Sequence, residues 1–324
     1  MAPFAALYGW GAATCYARVT PYRSRLPVLC AGNLTAGGTG KTPLMLYLCE
    51  HLRSAGLRPV LLTRGYGGHR AGPHWVGGSD TAGDVGDEAM LLARSAPTLV
   101  ARDRSAGARA IETGAAAADV IVMDDGLQNP QLAKNLVFAV VDGGRGLGNG
   151  RVMPAGPLRA PLEFQLALVD AIVVNEVVLG SGGSVASWLR NHFKGPVLRC
   201  ATVVAGDAAW LQGQRVVAWA GIGAPQRFFA MLRMLGAELA EAIPFRDHQR
   251  LGQADARRLL DLAREHRALL VSTEKDMARI ARGTCSLAEL GAATRALQVK
   301  LAFEDSHAEH LARLIDAALK GRRG

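Results

Sequence analysis

Lysine is scarce in this 324-residue chain, with six residues against a large excess of arginine, which reads partly as genomic bias. Aromatic residues make up only 6%. The arginines are scattered, and nothing interleaves them with aromatics into a base-stacking platform, so no nucleic-acid partner is expected. The five cysteines, Cys15, Cys30, Cys49, Cys200 and Cys285, contain no C-x-x-C pair and no metal-ligand spacing. That excludes a thiolate metal site and a disulfide framework, and an odd, unpatterned count suits a reducing compartment. After the first 22 residues no run is long and apolar enough to span a bilayer.

What is present is a globular composition, 49% apolar and 20% charged. The length supports two ordinary domains, or one large one. The net charge of +9 favours acidic partners such as nucleotides, phosphorylated sugars or anionic lipid headgroups. The first stretch carries no charge until Arg18, and Arg23 and Arg25 follow. A secretory signal has its positive charges before the apolar run, not after it. Phe4, Leu7, Tyr8 and Trp10 fit an interfacial helix with arginines at the headgroups. A helix packed on its own domain is the alternative.

The most informative stretch is residues 28–42, where an apolar run enters Gly37-Gly38-Thr39-Gly40-Lys41-Thr42 and a helical pattern follows. Strand, glycine-rich loop, Gly-Lys-Thr and helix make the layout of a phosphate-binding loop. Backbone N–H groups curl around phosphate oxygens, the lysine adds a point charge, and the threonine hydroxyl holds Mg²⁺. The leading glycine of the usual spacing is replaced by Thr35. A glycine-rich turn with a chance lysine is the bland alternative.

Apolar runs then alternate with helical patterns. Strands are predicted at 58–63, 98–101, 119–123, 136–141 and 171–175, with helices over 42–55, 87–95 and 105–118 and a Gly/His/Asp-rich loop over 69–86. This alternation predicts an α/β fold with a parallel sheet and helices on both faces, its functional residues at the carboxyl ends of strands. A boundary is expected near Leu198–Gln214, followed by a second α/β pattern with strands at 215–220 and 268–272 and helices at 226–235 and 253–265. A final helix over 306–320 can pack on either domain.

Asp124-Asp125 end an apolar strand, where a carboxylate can hold Mg²⁺, although an Asp-Gly turn explains the pair as well. Asp87-Glu88 open a helix, either as dipole-complementing caps or as a general base. Arg64, Arg102, Arg104, Arg145, Arg151 and Arg159 lie near strand ends or loops, where an anion could be bound. A lone histidine such as His248 is more often structural than catalytic, and its neighbour Asp247 need not face it. Thr273-Glu274-Lys275-Asp276 lacks the order used in guanine recognition.

Taken in order, these motifs resemble the tetraacyldisaccharide 4'-kinase (lipid A 4'-kinase) family over nearly the whole chain. The resemblance is carried by Gly32-Asn33-Leu34-Thr35-Ala36-Gly37-Gly38-Thr39-Gly40-Lys41-Thr42-Pro43, Arg64-Gly65-Tyr66-Gly67, Gly86-Asp87-Glu88, Arg102-Asp103-Arg104, Asp124-Asp125-Gly126-Leu127-Gln128, Pro154-Ala155-Gly156-Pro157-Leu158-Arg159, Ala220-Gly221-Ile222-Gly223, Asp247-His248 and Thr273-Glu274-Lys275-Asp276. The missing leading glycine is typical of that family. The resemblance implies a membrane-associating helix over 1–25, a P-loop NTPase-like domain over 26–205 and a smaller α/β domain over 206–324. It implies transfer of the γ-phosphate of ATP, with Mg²⁺, to the 4'-hydroxyl of a tetraacylated glucosamine disaccharide 1-phosphate. The setting it implies is the cytoplasmic face of the bacterial inner membrane, with that lipid and the membrane surface as partners and no obligate protein partner.

By the same resemblance, Thr35, Ala36, Gly37, Gly38, Thr39, Gly40, Lys41 and Thr42 bind nucleotide, and Thr42, Asp124 and Asp125 hold the metal. Asp87 is the base, His248 its modulator, and Lys41 acts on the phosphates. Tyr66, Gln128, Asn129 and Arg159 face the lipid substrate. Two positions depart from the family: Asn129 stands where histidine is usual, and Ala160 where glutamate is usual. The competing reading is a P-loop nucleotide-switched assembly or partitioning ATPase acting at the membrane.

Overall fold

The structure, a computed structural model, describes residues 16, 18–114, 117–181 and 183–321. The helix expected over 1–25 therefore lies mostly outside the described residues. Among the described residues no helix is long and apolar enough to cross a membrane.

The chain opens with β1 (Val28–Asn33), α1 (Lys41–Ser54), β2 (Pro59–Thr63), β3 (His74–Trp75), the one-turn α2 (Ala82–Val85), α3 (Asp87–Leu92), β4 (Thr98–Val100), α4 (Arg104–Thr113), β5 (Val120–Asp124) and β6 (Leu136–Asp142). It continues through α5 (Leu162–Leu166), β7 (Ala171–Glu176), α6 (Gly183–His192) and β8 (Val197–Val204). With β13 (Val299–Phe303), these strands build a nine-stranded sheet of order β13-β8-β7-β6-β1-β5-β2-β4-β3. All neighbours pair parallel except the two outer pairs, β13 with β8 and β3 with β4.

The central strands β1, β2, β5, β6 and β7 are buried along their whole length. Their apolar runs are what a sheet covered on both faces requires. One face packs on α1 through Leu44, Met45, Leu48, Cys49 and Leu52, and on the last helix through Leu311 and Ile315. The other packs on α4 through Ala108 and Ile111, and on α6 through Ala186 and Leu189.

The second unit contains β9 (Arg215–Ala220), α7 (Pro225–Met234), β10 (Glu238–Pro244), α8 (Gln253–His266), β11 (Leu269–Thr273), α9 (Glu274–Ile280), α10 (Ser286–Ala293) and β12 (Thr294–Leu297). Its parallel sheet has the order β10-β9-β11-β12. Phe228, Phe229 and Leu232 of α7 cover one face, and Ala256, Leu259 and Leu260 of α8 cover the other. The chain then returns to the large sheet as β13 (Val299–Phe303), antiparallel to β8, and ends in α11 (Asp305–Lys320).

The α/β architecture is as the alternating pattern predicts, with local differences. The helix expected over 105–118 runs from Arg104 to Thr113, because Asp103 Oδ1 accepts from the N–H groups of Ser105 and Ala106 and so caps it one residue earlier. The helix expected to reach residue 95 stops at Leu92. The 69–86 loop contains β3 and α2, the latter started by a Thr81/Asp84 capping box. The stretch read as a boundary near Leu198–Gln214 includes most of β8, which belongs to the large sheet.

Candidate active site

The carboxyl ends of β1, β2, β5, β6 and β7 present Asn33, Thr63, Asp124, Asp142 and Glu176 along one edge of the large sheet. Gly221–Gly223 after β9 and Glu274–Lys275 after β11 approach that edge from the second unit. Between the two lies a cavity of about 1010 Å³. Its lining combines the phosphate loop from Ala36 to Thr42 with apolar groups such as Phe228 and Met231.

The loop is held open from beneath. Thr39 Oγ1 donates to Asn33 Oδ1 at 2.6 Å, and Asn175 Nδ2 donates to the Thr39 carbonyl at 3.2 Å. Gly40 has φ 91°, and a Cβ there would collide with the Asn175 amide, so only glycine fits. Gly38 packs on Gly223, where an added Cβ would sit 3.3 Å from the Gly223 Cα. The loop backbone is thus in contact with the second unit. Thr35 stands apart from the rest of the loop. It bridges to Leu158, is 8% exposed and lies outside the cavity lining.

Lys41 Nζ lies 3.1 Å from Asp124 and 3.4 Å from Asp125. Burial works against the ammonium, but Asp124, Glu88 and Asp125 outweigh it and raise the lysine's pKa. Burial pushes the Asp124 carboxyl up; Lys41 opposes that, while Glu88 and Asp125 reinforce it. Asp125 is lowered to about 2: burial resists ionisation, and Lys41 and Arg159 overcome it. Arg159 donates to Asp125 Oδ1 at 2.7 Å. Asp124 also accepts from Thr63 Oγ1 at 2.9 Å.

On the far side of Glu88 a second group of charges spans the two units. Asp87 Oδ1 accepts from the Glu88 N–H at 2.9 Å and faces His248 Nδ1 at 3.0 Å. Asp87 Oδ2 accepts from Arg279 Nη2 at 2.6 Å and Nε at 3.2 Å. Both of its oxygens are therefore occupied. Burial resists ionisation of Asp87, but the hydrogen bond from His248, the charge of Lys275 and the hydrogen bonds from Arg279 hold its carboxyl well below the usual carboxylate range. Lys275 Nζ lies 3.2 Å from Glu88 Oε1. His248 lines both the large cavity and a smaller one of about 200 Å³, which Asp87 also lines. Asp125 and His248 both hold a left-handed backbone, φ 51° and 58°, at a cost of order 1 kcal/mol each.

The remaining predicted residues are distributed as follows. Thr42, Tyr66, Gln128, Asn129 and Arg159 line the large cavity. Tyr66 is 64% exposed and sits edge-on to His248 at 5.1 Å. Gln128 Nε2 donates to the Asn33 carbonyl at 2.8 Å and to Gln165 Oε1 at 2.6 Å. Both ends of the Asn129 amide are taken by Gln131. Ala160 is fully buried. Arg64, Arg102 and Arg104 reach the cavity lining. Buried Arg104 also donates to the carbonyls of Ala101 and Asp124, which makes it a strut. Arg145 donates to the Gly223 carbonyl at 3.1 Å, and Arg151 lies outside the lining.

Three cations go beyond the sequence reading. Arg227 of α7 meets Asp142 at 2.5 Å and the Glu176 carbonyl at 2.8 Å. Lys275 and Arg279 come from one face of α9. Their four-residue spacing, directly after a strand, is the signal that could have revealed them.

The donor set suits Mg²⁺, a hard cation that takes oxygen ligands and usually only one or two protein carboxylates. Asp124, Asp125 and the Thr42 hydroxyl could hold it. No cluster of three or more metal-ligating side chains occurs among the described residues, so the rest of its shell would come from water and phosphate.

A family model described as tetraacyldisaccharide-1-P 4'-kinase matches residues 1–320. A tetraacyldisaccharide 4'-kinase of Methylorubrum extorquens is 50% identical over 280 residues, covering 86% of this chain and 82% of that protein. One of Nitrobacter winogradskyi is 46% identical over 327 residues, covering 99% and 94%. Among solved structures, LpxK from Aquifex aeolicus in complex with ATP superposes with a TM-score of 0.74 over 98% of each chain. At 24% identity that likeness speaks for the fold.

Asp87→Asn removes the charge that answers buried Arg279, and is expected to cost about 3 kcal/mol of stability at pH 7. Because the folded-state pKa of Asp87 is depressed, its contribution is complete above the unfolded value, about 4, and fades as pH falls towards the folded one. Urea unfolding of both proteins should show a constant gap above about pH 5 that narrows below about pH 4. A gap that does not change with pH would contradict this.

Proposed function

The chain belongs to the tetraacyldisaccharide-1-P 4'-kinase family, and from that premise we infer that it transfers the γ-phosphate of ATP to the 4'-hydroxyl of a tetraacylated glucosamine disaccharide 1-phosphate. The observation that carries the reading is that one cavity is lined both by the phosphate loop and by His248 of the second unit, whose Nδ1 faces Asp87 of the first at 3.0 Å. A nucleotide-switched ATPase is not favoured by the family.

Phosphoryl transfer asks little covalent chemistry of the protein, so positioning and charge neutralisation dominate. Backbone N–H groups of residues 36–42 cradle the phosphates, with the positive end of α1 behind them. Lys41 turns from Asp124 and Asp125 to the β/γ-phosphates. Thr42, Asp124 and Asp125 would hold Mg²⁺, which would supply charge neutralisation at the transferring group. Asp87 accepts the hydroxyl proton late, once one of its present donors yields, and His248 tunes it through Nδ1. Arg159, released from Asp125, meets anionic substrate, while Tyr66, Gln128 and Asn129 flank the sugar. The apolar part of the cavity lining suits a partner with greasy substituents.

The N-terminal segment is assigned to the cytoplasmic surface of the inner membrane, where a lipid-embedded acceptor would be met. Support comes from the order of its residues, with Phe4, Leu7, Tyr8 and Trp10 preceding Arg18, Arg23 and Arg25.

Incubation with ATP, Mg²⁺ and the tetraacyl disaccharide 1-phosphate should yield the bisphosphorylated lipid by mass spectrometry; its absence would sink the assignment. Asp87→Ala should lower turnover by at least about 100-fold while nucleotide still binds. Deleting residues 2–20 should weaken partitioning onto anionic vesicles, and unchanged partitioning would remove the membrane assignment.

A further inference from the structure

Lys275 stands in the first turn of α9, directly after β11. Its ammonium lies 3.3 Å from His248 Nε2 as well as 3.2 Å from Glu88 Oε1, and its side chain is 15% exposed. An ammonium has three donors and no lone pair, so the atom it meets must be an acceptor. His248 Nε2 therefore carries no proton, and the ring's N–H sits on Nδ1, which faces both Asp87 oxygens at 3.0 and 3.1 Å. Asp247 Oδ1 is 3.7 Å from Nε2, beyond hydrogen-bond reach, and 3.6 Å from Lys275, which answers its charge. Tyr66 packs its ring against the imidazole at an interplanar angle of 67°.

We propose that Lys275 is a positioning residue that fixes the tautomer of His248, keeping Nδ1–H on Asp87 and the Nε2 lone pair on the lysine. Its consequence for turnover rests on the kinase reading. The opposite tautomer would set a ring lone pair against the Asp87 carboxylate and break the hydrogen bond that orients it. Lys275 acts through His248 and Asp87, so its loss should lower kcat more than it raises KM. The second unit then does more than cover the site: α9 sets the proton position in the imidazole with Lys275 and grips the carboxylate with Arg279.

The test is nitrogen NMR of the full-length protein labelled in histidine, with the His248 signals identified by their loss in His248→Gln. The wild-type protein should show a pyridine-type Nε2 and a pyrrole-type Nδ1. Lys275→Arg should keep that pattern, and Lys275→Met should lose it. A pyrrole-type Nε2 in the wild-type protein would overturn the proposal even if Lys275→Met fails to fold. So would an unchanged pattern in folded Lys275→Met. In the kinase assay Lys275→Met should lower kcat by about 10- to 100-fold with little change in KM for ATP, and Lys275→Arg should recover most of the loss. A rise in KM with kcat intact would overturn the positioning role. The NMR result does not depend on turnover, so failure of the wild-type protein to make product would count against the kinase reading alone.

Discussion

Asp87 and Arg279 face each other across the two units at 2.6 Å, each side chain only 5% exposed. A charge so buried is tolerated only when it is paired and hydrogen-bonded. Arg279 satisfies the rest of its fork on Asp276 and the Gly221 carbonyl, and Asp87 satisfies its own on Glu88 N–H and His248. Neither unit can present its half of this pair to solvent without losing that compensation. The pair therefore constrains where the second sheet sits over the first, and so which residues meet in the cavity.

From that pair the charges alternate towards the phosphate loop: Lys275 beside Glu88, then Lys41 against Asp124 and Asp125. Each member is stabilised by neighbours of opposite sign, and a phosphate group entering the loop competes for Lys41. The raised pKa of Asp124 and the lowered one of Asp125 show that this balance is uneven before any ligand arrives. On the other flank, Arg227 ties α7 to Asp142 and to the backbone of β7, whose Asn175 supports the loop. Loop shape and the Asp87–His248 geometry are thus joined through the second unit.

The large sheet was legible because its central strands are apolar runs that end in polar residues, Asn33, Thr63, Asp124, Asp142 and Glu176. The phosphate loop was legible because glycine spacing records backbone shape directly. β8 was not, since its edge is completed by β13, nearly a hundred residues later, and no local pattern announces that pairing. The bridge from Thr35 to Leu158 was not legible, because a motif reports adjacency in sequence and that contact is tertiary. Read from its neighbours His248 was a lone histidine beside Asp247; only the family resemblance paired it with Asp87, 161 positions away, which its Nδ1 faces at 3.0 Å. Arg279 was passed over because no motif reached it, and Lys275 entered only inside the Thr273–Asp276 motif, without being weighed as a charge on a helix face.

The central claim is that an ion pair between the units holds the site together, and a double-mutant cycle on it is the direct measurement. Asp87→Asn, Arg279→Met and the combined variant would be unfolded in urea beside the wild-type protein. The account predicts a coupling energy of about 2 kcal/mol, with the double variant less destabilised than the two single variants together. Additive losses would mean that the two charges do not depend on each other and would contradict the account.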